Sequence, residues 1–330
     1  MSKFKALMVY EEKGKFIRSI ENRSINDLPS GDVLINVKYS SLNYKDAMSA
    51  SGNKGITRQY PHTPGIDAAG IVIESVDKKI FAGDEVIVTG FDLGMNTPGG
   101  YGQFIRVPAE WVIKLPKGIS LKESMIYGTA GFTSALSLYN LESAGLNVSV
   151  NENILVTGST GGVGSLSIAI LSKAGYKNIV AATGKSGKEI YLKNLGASKI
   201  IDRESLNDKS GRPLLPLRWA AVIDSVGGNI LATALKSTVY GGSVASCGLT
   251  QSPILNTSVY PFILRGVKLL GSDSTHCDFK IRNILWNKLA SEWKPDSLNQ
   301  IALECSLEEL DEKIDLILNG HITGRIVVKL

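Results

Sequence analysis

The sequence predicts an α/β protein in which a barrel-like β half precedes a doubly wound parallel sheet. Three observations carry this. Asn153 to Gly175, NILVTGSTGGVGSLSIAILSKAG, reads as a short buried strand, a glycine-rich turn and an apolar helix. From Tyr127 onward strand-like and helix-like stretches alternate, whereas residues 1 to about 125 hold only short alternating or β-branched runs punctuated by Gly and Pro. The length of 330 residues, 43% hydrophobic and 20% charged, suits two domains with ample core.

Taken in order, Asp32 to Tyr39 (DVLINVKY) alternates apolar and polar residues, and Ile71 to Val76 and Glu85 to Thr89 are short β-branched runs. Tyr127 to Leu141 has helical spacing. Candidate strands follow at 153 to 157, 178 to 182, 198 to 202, 219 to 225, 242 to 247 and 267 to 272. Six strands with helices between them make a doubly wound sheet. A helix is expected around 278 to 293 and another from Ser306, where Ser306 and Glu309 have capping-box spacing and Leu310, Ile314, Ile317 and Leu318 form one apolar stripe. A last strand, Arg325 to Leu330, is expected to return to the first domain. The expected domains are 1–125, 126–273 and a segment 274–330 that completes the first.

The glycine turn has a chemical reading. Without β-carbons at Gly161, Gly162 and Gly164, the backbone approaches a diphosphate closely and the helix packs tightly on the strand. Unpaired N–H groups at the helix start then face the anion. The strict G-x-G-x-x-G form is not met, because Ser159 stands at the first position and Gly158 one residue early. About 20 residues on, where an NAD-binding protein places an acid against the ribose 2′-hydroxyl, stand Thr183, Gly184 and Lys185, with Arg203 just past the third strand. A carboxylate would repel a 2′-phosphate, whereas a hydroxyl, a backbone N–H and an ammonium bind it. The expected cofactor is NADPH.

Composition excludes several classes. The net charge of +5 is spread without a Lys/Arg run, so neither nucleic-acid nor membrane binding is indicated, and anionic small substrates are favoured. No stretch of about 18 uncharged apolar residues is present, and the N-terminal MSKFKALMVYEEKGK lacks the apolar core of a signal peptide, so a cytoplasmic location is expected. Cys247, Cys277 and Cys305 are odd in number and widely spaced, against a disulfide framework or a four-cysteine zinc lobe.

Further motifs run nearly end to end: SSLNYKDAM (Ser40 to Met48), PGIDAAG (Pro64 to Gly70), AGDEVIVTG (Ala82 to Gly90), GTAGFTSAL (Gly128 to Leu136), TGSTGGVGS (Thr157 to Ser165), PFILRGVKLLGSDS (Pro261 to Ser274) and GRIVVKL from Gly324. With these the chain resembles the medium-chain dehydrogenases/reductases, within them the zinc-free acrylyl-CoA reductase and quinone oxidoreductase branch of YhdH/AcuI type. The resemblance implies a GroES-like β-barrel catalytic domain completed by the C-terminal segment, a Rossmann domain between, and an active site in the cleft. It further implies that Tyr44, Thr160, Gly161, Gly162, Val163, Thr183, Gly184, Lys185, Arg203, Leu249, Ile263, Ser274 and Asn319 surround NADPH. A homodimer through the edge strand near Val267 to Ser272 is also implied. Tyr191, on the helix after Lys185, reads as packing rather than as an adenine contact.

Zinc is argued against by the residues. Where the zinc alcohol dehydrogenases carry Gly-His-Glu, this chain has Gly65, Ile66 and Asp67. Ile66 has no donor atom, no cysteine lies in the first 246 residues, and His62, His276 and His321 are isolated. No metal site is expected. Hydride addition to an already electrophilic carbon remains, and for this the protein needs only to position the substrate and stabilise an enolate. Asn43 and Tyr44 end the strand DVLINVKYSSLN and are expected as oxyanion donors, Tyr44 also as a proton source. Asp46 and Asp67 read as structural, Asp46 as a local cap. The expected activity is NADPH-dependent reduction of an activated C=C bond, above all acrylyl-CoA to propionyl-CoA, with quinones as the alternative substrate. A nucleotide-binding protein without turnover is disfavoured by the intact cofactor motif together with Asn43 and Tyr44.

Overall fold

The structure is a computed structural model and describes residues 3–330. In chain order the first elements are β1 (Lys3–Glu12), β2 (Lys15–Ser24), β3 (Val33–Leu42), α1 (Tyr44–Ala50), β4 (Asp67–Ser75), β5 (Glu85–Thr89), β6 (Phe104–Val107), β7 (Ile113–Lys114) and α2 (Leu121–Ser143). Next come β8 (Asn153–Val156), α3 (Gly162–Lys173), β9 (Ile179–Thr183), α4 (Glu189–Asn194), β10 (Lys199–Asp202), β11 (Trp219–Asp224), α5 (Gly228–Ser237), β12 (Thr238–Ser246), α6 (Tyr260–Arg265) and β13 (Lys268–Gly271). The chain closes with α7 (Phe279–Leu289), β14 (Ala302–Ser306), α8 (Leu310–Leu318) and β15 (Arg325–Lys329). It divides into two compact units, one made of residues up to 129 with Thr275–Asn283 and Asn299–Leu330, the other of Ala130–Ser274 and Ile284–Leu298.

The first unit holds a β1–β2 hairpin and a seven-stranded sheet of order β14-β15-β3-β4-β5-β7, with β6 also paired to β3. Alternation puts Val33, Ile35 and Val37 of β3 into a core with Val72, Val86, Val88 and Ile105. The strand expected near the C-terminus does return here: β15 lies antiparallel to β3, with Ile326 opposite Leu42, and parallel to β14. Beneath it, Leu310 and Ile314 of α8 join Leu7, Leu42, Ala47 and Ile326 in a second core. The Ser306 and Glu309 side chains make the expected reciprocal bonds, 3.3 Å and 2.7 Å, and regular helix begins just after them at Leu310.

The second unit is a parallel sheet of order β10-β9-β8-β11-β12-β13, helices flanking it, which is the doubly wound order with the glycine turn after its first strand. All six expected strands are present. β12 begins earlier than the pattern suggests, at Thr238, because a register irregularity between Trp219 and Ala221 lets the chain pair before and after the Gly241–Gly242 interruption. The segment 274–330 is not one continuous return: Ile284–Leu298 belongs to the second unit, where Trp286 stacks on Phe132 at 6.2 Å and Asp296 pairs with Lys173 at 3.0 Å.

Helix α2 is longer than its spacing suggests and is broken at Gly128, whose φ of 50° and ψ of −155° suit glycine alone. The leg before the break starts at a Ser120/Glu123 capping box. The break turns Thr129 toward the residues described next.

Candidate active site

At the end of β3 the sequence SSLN leaves three polar side chains inside the first unit: Ser40 and Ser41 are fully buried and Asn43 is 8% exposed. Asn43 is the N-cap of α1, and Asp46, at the third helical position, accepts the Asn43 backbone N–H at 2.8 Å. The other oxygen of Asp46 takes the Ile66 N–H at 2.8 Å. Asp67 is the more fully satisfied carboxylate. It accepts Ser41 Oγ at 2.6 Å, Asn43 Nδ2 at 2.8 Å, and both the N–H and the hydroxyl of Thr129, at 2.9 and 2.6 Å.

The cation is Arg325, at the start of β15 and 3% exposed. Its guanidinium donates to Ser41 Oγ (2.7 Å), Asn43 Oδ1 (3.1 Å) and the Leu42 and Ile126 carbonyls (3.1 Å each) and stands 3.9 Å from Asp67. A β-carbon at residue 128 would fall 2.5 Å from Asp67 Oδ2, 2.6 Å from Ser41 Oγ and 2.8 Å from Arg325 Nη2. Glycine at the break is therefore a packing requirement as well as a conformational one.

Two buried acids face one buried base. Asp67 collects the hydroxyls, the amides and the guanidinium. Burial, and secondly the charge on Asp67, pushes Asp46 up to about 6. Burial lowers Arg325, opposed by Asp67 and Asp46, and holds the buried Tyr101 phenol well above its ordinary value. Tyr101 donates to the Ser41 carbonyl at 3.3 Å.

Asn43 lies inside this network. Its amide N–H groups face Asp67 at 2.8 Å and Asp46 at 3.1 Å, and its carbonyl faces Arg325. In this arrangement the side chain bridges Asp46, Asp67 and Arg325 at the start of α1. Tyr44, the next residue, is 44% exposed and opens that helix. Ile66 is 3% exposed, an aliphatic side chain where a metal ligand would be needed, and Asp67 is fully engaged beside it. Among the described residues no group of three or more His, Cys, Asp or Glu is placed to hold a metal ion.

In the second unit the turn after β8 is built as the glycines require. Gly158 adopts φ 59°, and a β-carbon on Gly164 would lie 2.3 Å from the Gly158 carbonyl, so α3 can approach the turn only with glycine there. Gly161 is the N-cap of α3, and Gly162 and Val163 begin it. Thr160, 5% exposed, shares a 3.2 Å hydrogen bond with Thr183 at the end of β9, and the Lys185 N–H donates to the same Thr183 hydroxyl at 3.1 Å. Lys185 is shifted down by partial burial, then by Lys188. Arg203 follows β10 and lies over Gly184.

Sequence reasoning missed the brace beneath this turn. Thr157 donates to buried Asp224 at 2.7 Å, and Asp224 also accepts the Gly227 N–H at 2.8 Å, tying the loops after β8 and β11 together. The signal was present in IDSVGG, an acid at a carboxyl-terminal strand end before two glycines. Leu249 and Ile263 are exposed on the same unit, and Ser274 accepts the Thr133 hydroxyl at 2.8 Å. Tyr191 is half-buried on α4. Asn319 belongs to the first unit, where it caps α8 and donates to the Asp315 carbonyl at 2.9 Å.

Residues 29–117 match the alcohol dehydrogenase GroES-like domain and residues 162–289 the zinc-binding dehydrogenase domain. The chain is 44% identical over 99% of each chain to the putative quinone oxidoreductase YhfP of Bacillus subtilis, whose crystal structure with NAD bound matches at a TM-score of 0.97 over 100% of both chains. It is 42% identical to the probable acrylyl-CoA reductase AcuI of Escherichia coli, covering 98% of this chain and 99% of that one. The yhdH oxidoreductase of Salmonella enterica, in complex with NADP, matches at a TM-score of 0.96 with 41% identity, covering 99% of each chain. This chain belongs to the medium-chain dehydrogenase/reductase superfamily. Its branch is that of the acrylyl-CoA reductases and YhfP-type quinone oxidoreductases, and it is an oxidoreductase.

Proposed function

We propose that this medium-chain reductase uses NADPH to reduce an activated C=C bond, with acrylyl-CoA, converted to propionyl-CoA, as its substrate. The observation that carries the cofactor reading is the carboxyl end of β9, where Thr183, Lys185 and Arg203 meet in place of an acid. The glycine turn fits a diphosphate, since the β-carbon missing from Gly164 is what allows the helix start to approach. NADPH, held there by Thr160 to Val163 and by the β9 end, supplies the hydride.

The chain's own part is placement and proton handling. The Asn43, Asp46, Asp67 and Arg325 network fixes the first turn of α1, and Tyr44, exposed at that turn, is the phenol proposed to donate to the substrate oxygen. The names of the 41–42% identical relatives, with the net charge of +5 that favours an anionic CoA thioester, support this substrate. A quinone is the second reading, supported by the name of the 44% identical YhfP. A cytoplasmic homodimer joined at β13, the edge of the second unit's sheet, completes the proposal.

The test is NADPH oxidation with acrylyl-CoA, crotonyl-CoA and a benzoquinone under identical conditions. Rapid turnover of acrylyl-CoA supports the thioester; turnover of the benzoquinone alone transfers the assignment to quinones.

A further inference from the structure

We propose that Gly184 is a specificity-determining position, a notch whose missing side chain seats the Arg203 guanidinium where the cofactor's 2′-phosphate is met; this rests on the NADPH reading above. Strand register brings the two together. β10 runs parallel to β9 with Asp202 opposite Thr183, so the next residues, Arg203 and Gly184, leave the sheet side by side. The base of Arg203 is fixed, because Asp202 accepts the Glu204 N–H at 2.8 Å and its carbonyl accepts the Ser205 hydroxyl at 2.7 Å.

The side chain then lies on the glycine. A β-carbon at residue 184 would stand 2.6 Å from Arg203 Nε, 2.7 Å from Cδ and 2.9 Å from Cζ, all closer than real β-carbons come. Gly184 is absent from the positive-φ residues, so its backbone does not demand glycine. The three nearest atoms that a β-carbon at residue 184 would meet all belong to Arg203. Alanine there leaves the backbone undisturbed and pushes aside a flexible, exposed side chain, so it moves the guanidinium without endangering the fold.

The notch also sets what Arg203 joins. Thr183 Oγ accepts the Lys185 N–H at 3.1 Å and shares a 3.2 Å hydrogen bond with the Thr160 hydroxyl, in which either oxygen can donate. A hydroxyl and a planar guanidinium therefore lie at one strand end, with Lys185 in the turn that follows, a set suited to a phosphate dianion rather than to a ribose hydroxyl. In the seated position Arg203 Nε also lies 3.4 Å from the Glu204 carboxylate, an exposed partner that the phosphate would replace.

The experiment is direct binding of NADP⁺ and NAD⁺ to the full chain by calorimetry, which needs no substrate. The parent, Gly184→Ala, Arg203→Ala and the double variant are compared, with thermal unfolding as the check on folding. The expected result is a preference of the parent for NADP⁺, a loss of about tenfold in NADP⁺ affinity in Gly184→Ala with a much smaller change for NAD⁺, and no further loss when Gly184→Ala is added to Arg203→Ala. Equal losses for both nucleotides in Gly184→Ala, no loss at all, or a full loss in the Arg203→Ala background overturn the notch while leaving the NADPH reading intact. A parent without preference for NADP⁺ overturns that reading itself, and the notch with it.

Discussion

Arg325 and Asp67 stand 3.9 Å apart, from strands near opposite ends of the chain, and both are almost fully withdrawn from water. Removing one partner of such a pair leaves the other charge buried without compensation. Arg325→Met is expected to destabilise the protein by about 3 to 5 kcal/mol, and Arg325→Lys by less, since it keeps the charge but loses the forked donors to Ser41, Asn43 and the carbonyls. Urea unfolding measures both, and a loss under about 1 kcal/mol for the methionine variant would refute this account.

Gly128→Ala tests the break in α2. The new methyl would need φ 50° and would sit among Asp67, Ser41 and Arg325. A loss of roughly 3 kcal/mol or more is expected, combining backbone strain with a disrupted polar network. A variant as stable as its parent would mean that the helix need not break there.

Asp46 predicts a pH dependence of stability. Its folded value, about 6, lies above its ordinary value of 3.8, so the native state holds a proton that the unfolded chain has released. The contribution is present below about 4 and is lost as pH rises toward and through 6. Asp46→Asn should flatten the fall in unfolding free energy between those limits, and identical slopes in parent and variant would count against the raised value.

Lys185→Glu should abolish the preference for NADPH. One charge-assisted phosphate contact is worth roughly 1.5 to 3 kcal/mol, or about tenfold or more in kcat/KM, and a carboxylate reverses its sign. Equal kcat/KM for NADPH and NADH in the unaltered protein would remove the basis for this expectation.

Tyr44→Phe separates donation from packing. If the phenol donates to the substrate, kcat falls about tenfold or more with a smaller change in KM; an unchanged kcat leaves Tyr44 as a packing residue. Asn43→Ala is expected to lower both stability and kcat, because Asp46 and Asp67 lose their shared donor.

Much of the second unit was legible because its signals are local. NILVTGSTGGVGS carries strand, turn and helix within one stretch, and NIVAATGK ends a strand at the position proposed to meet the 2′-phosphate. The first unit's network was not legible. Asp46 could be read as a cap, since its partner Asn43 is three residues away, but nothing near Asp67 in sequence announces Thr129 or Arg325. The bonding of Asn43 was hidden for the same reason: an amide at a strand end looks free until the distant carboxylates and the guanidinium are in place. Gly128 looked like an ordinary helical glycine because periodicity reports spacing and cannot report a left-handed φ.

The placement of β15 also bears on how the protein is made. The first unit is interrupted by the whole of Ala130–Ser274, and its sheet lacks the strand between β3 and β14 until Arg325–Lys329 has been synthesised. On the ribosome most of the nucleotide-binding unit is therefore complete while the earlier-made unit still waits, with Asp46 and Asp67 lacking their counter-charge and the edge of β3 uncovered. Until β15 pairs with it, the Tyr39–Leu42 end of β3 is an open strand edge, the kind of surface that invites wrong pairing in a half-made chain.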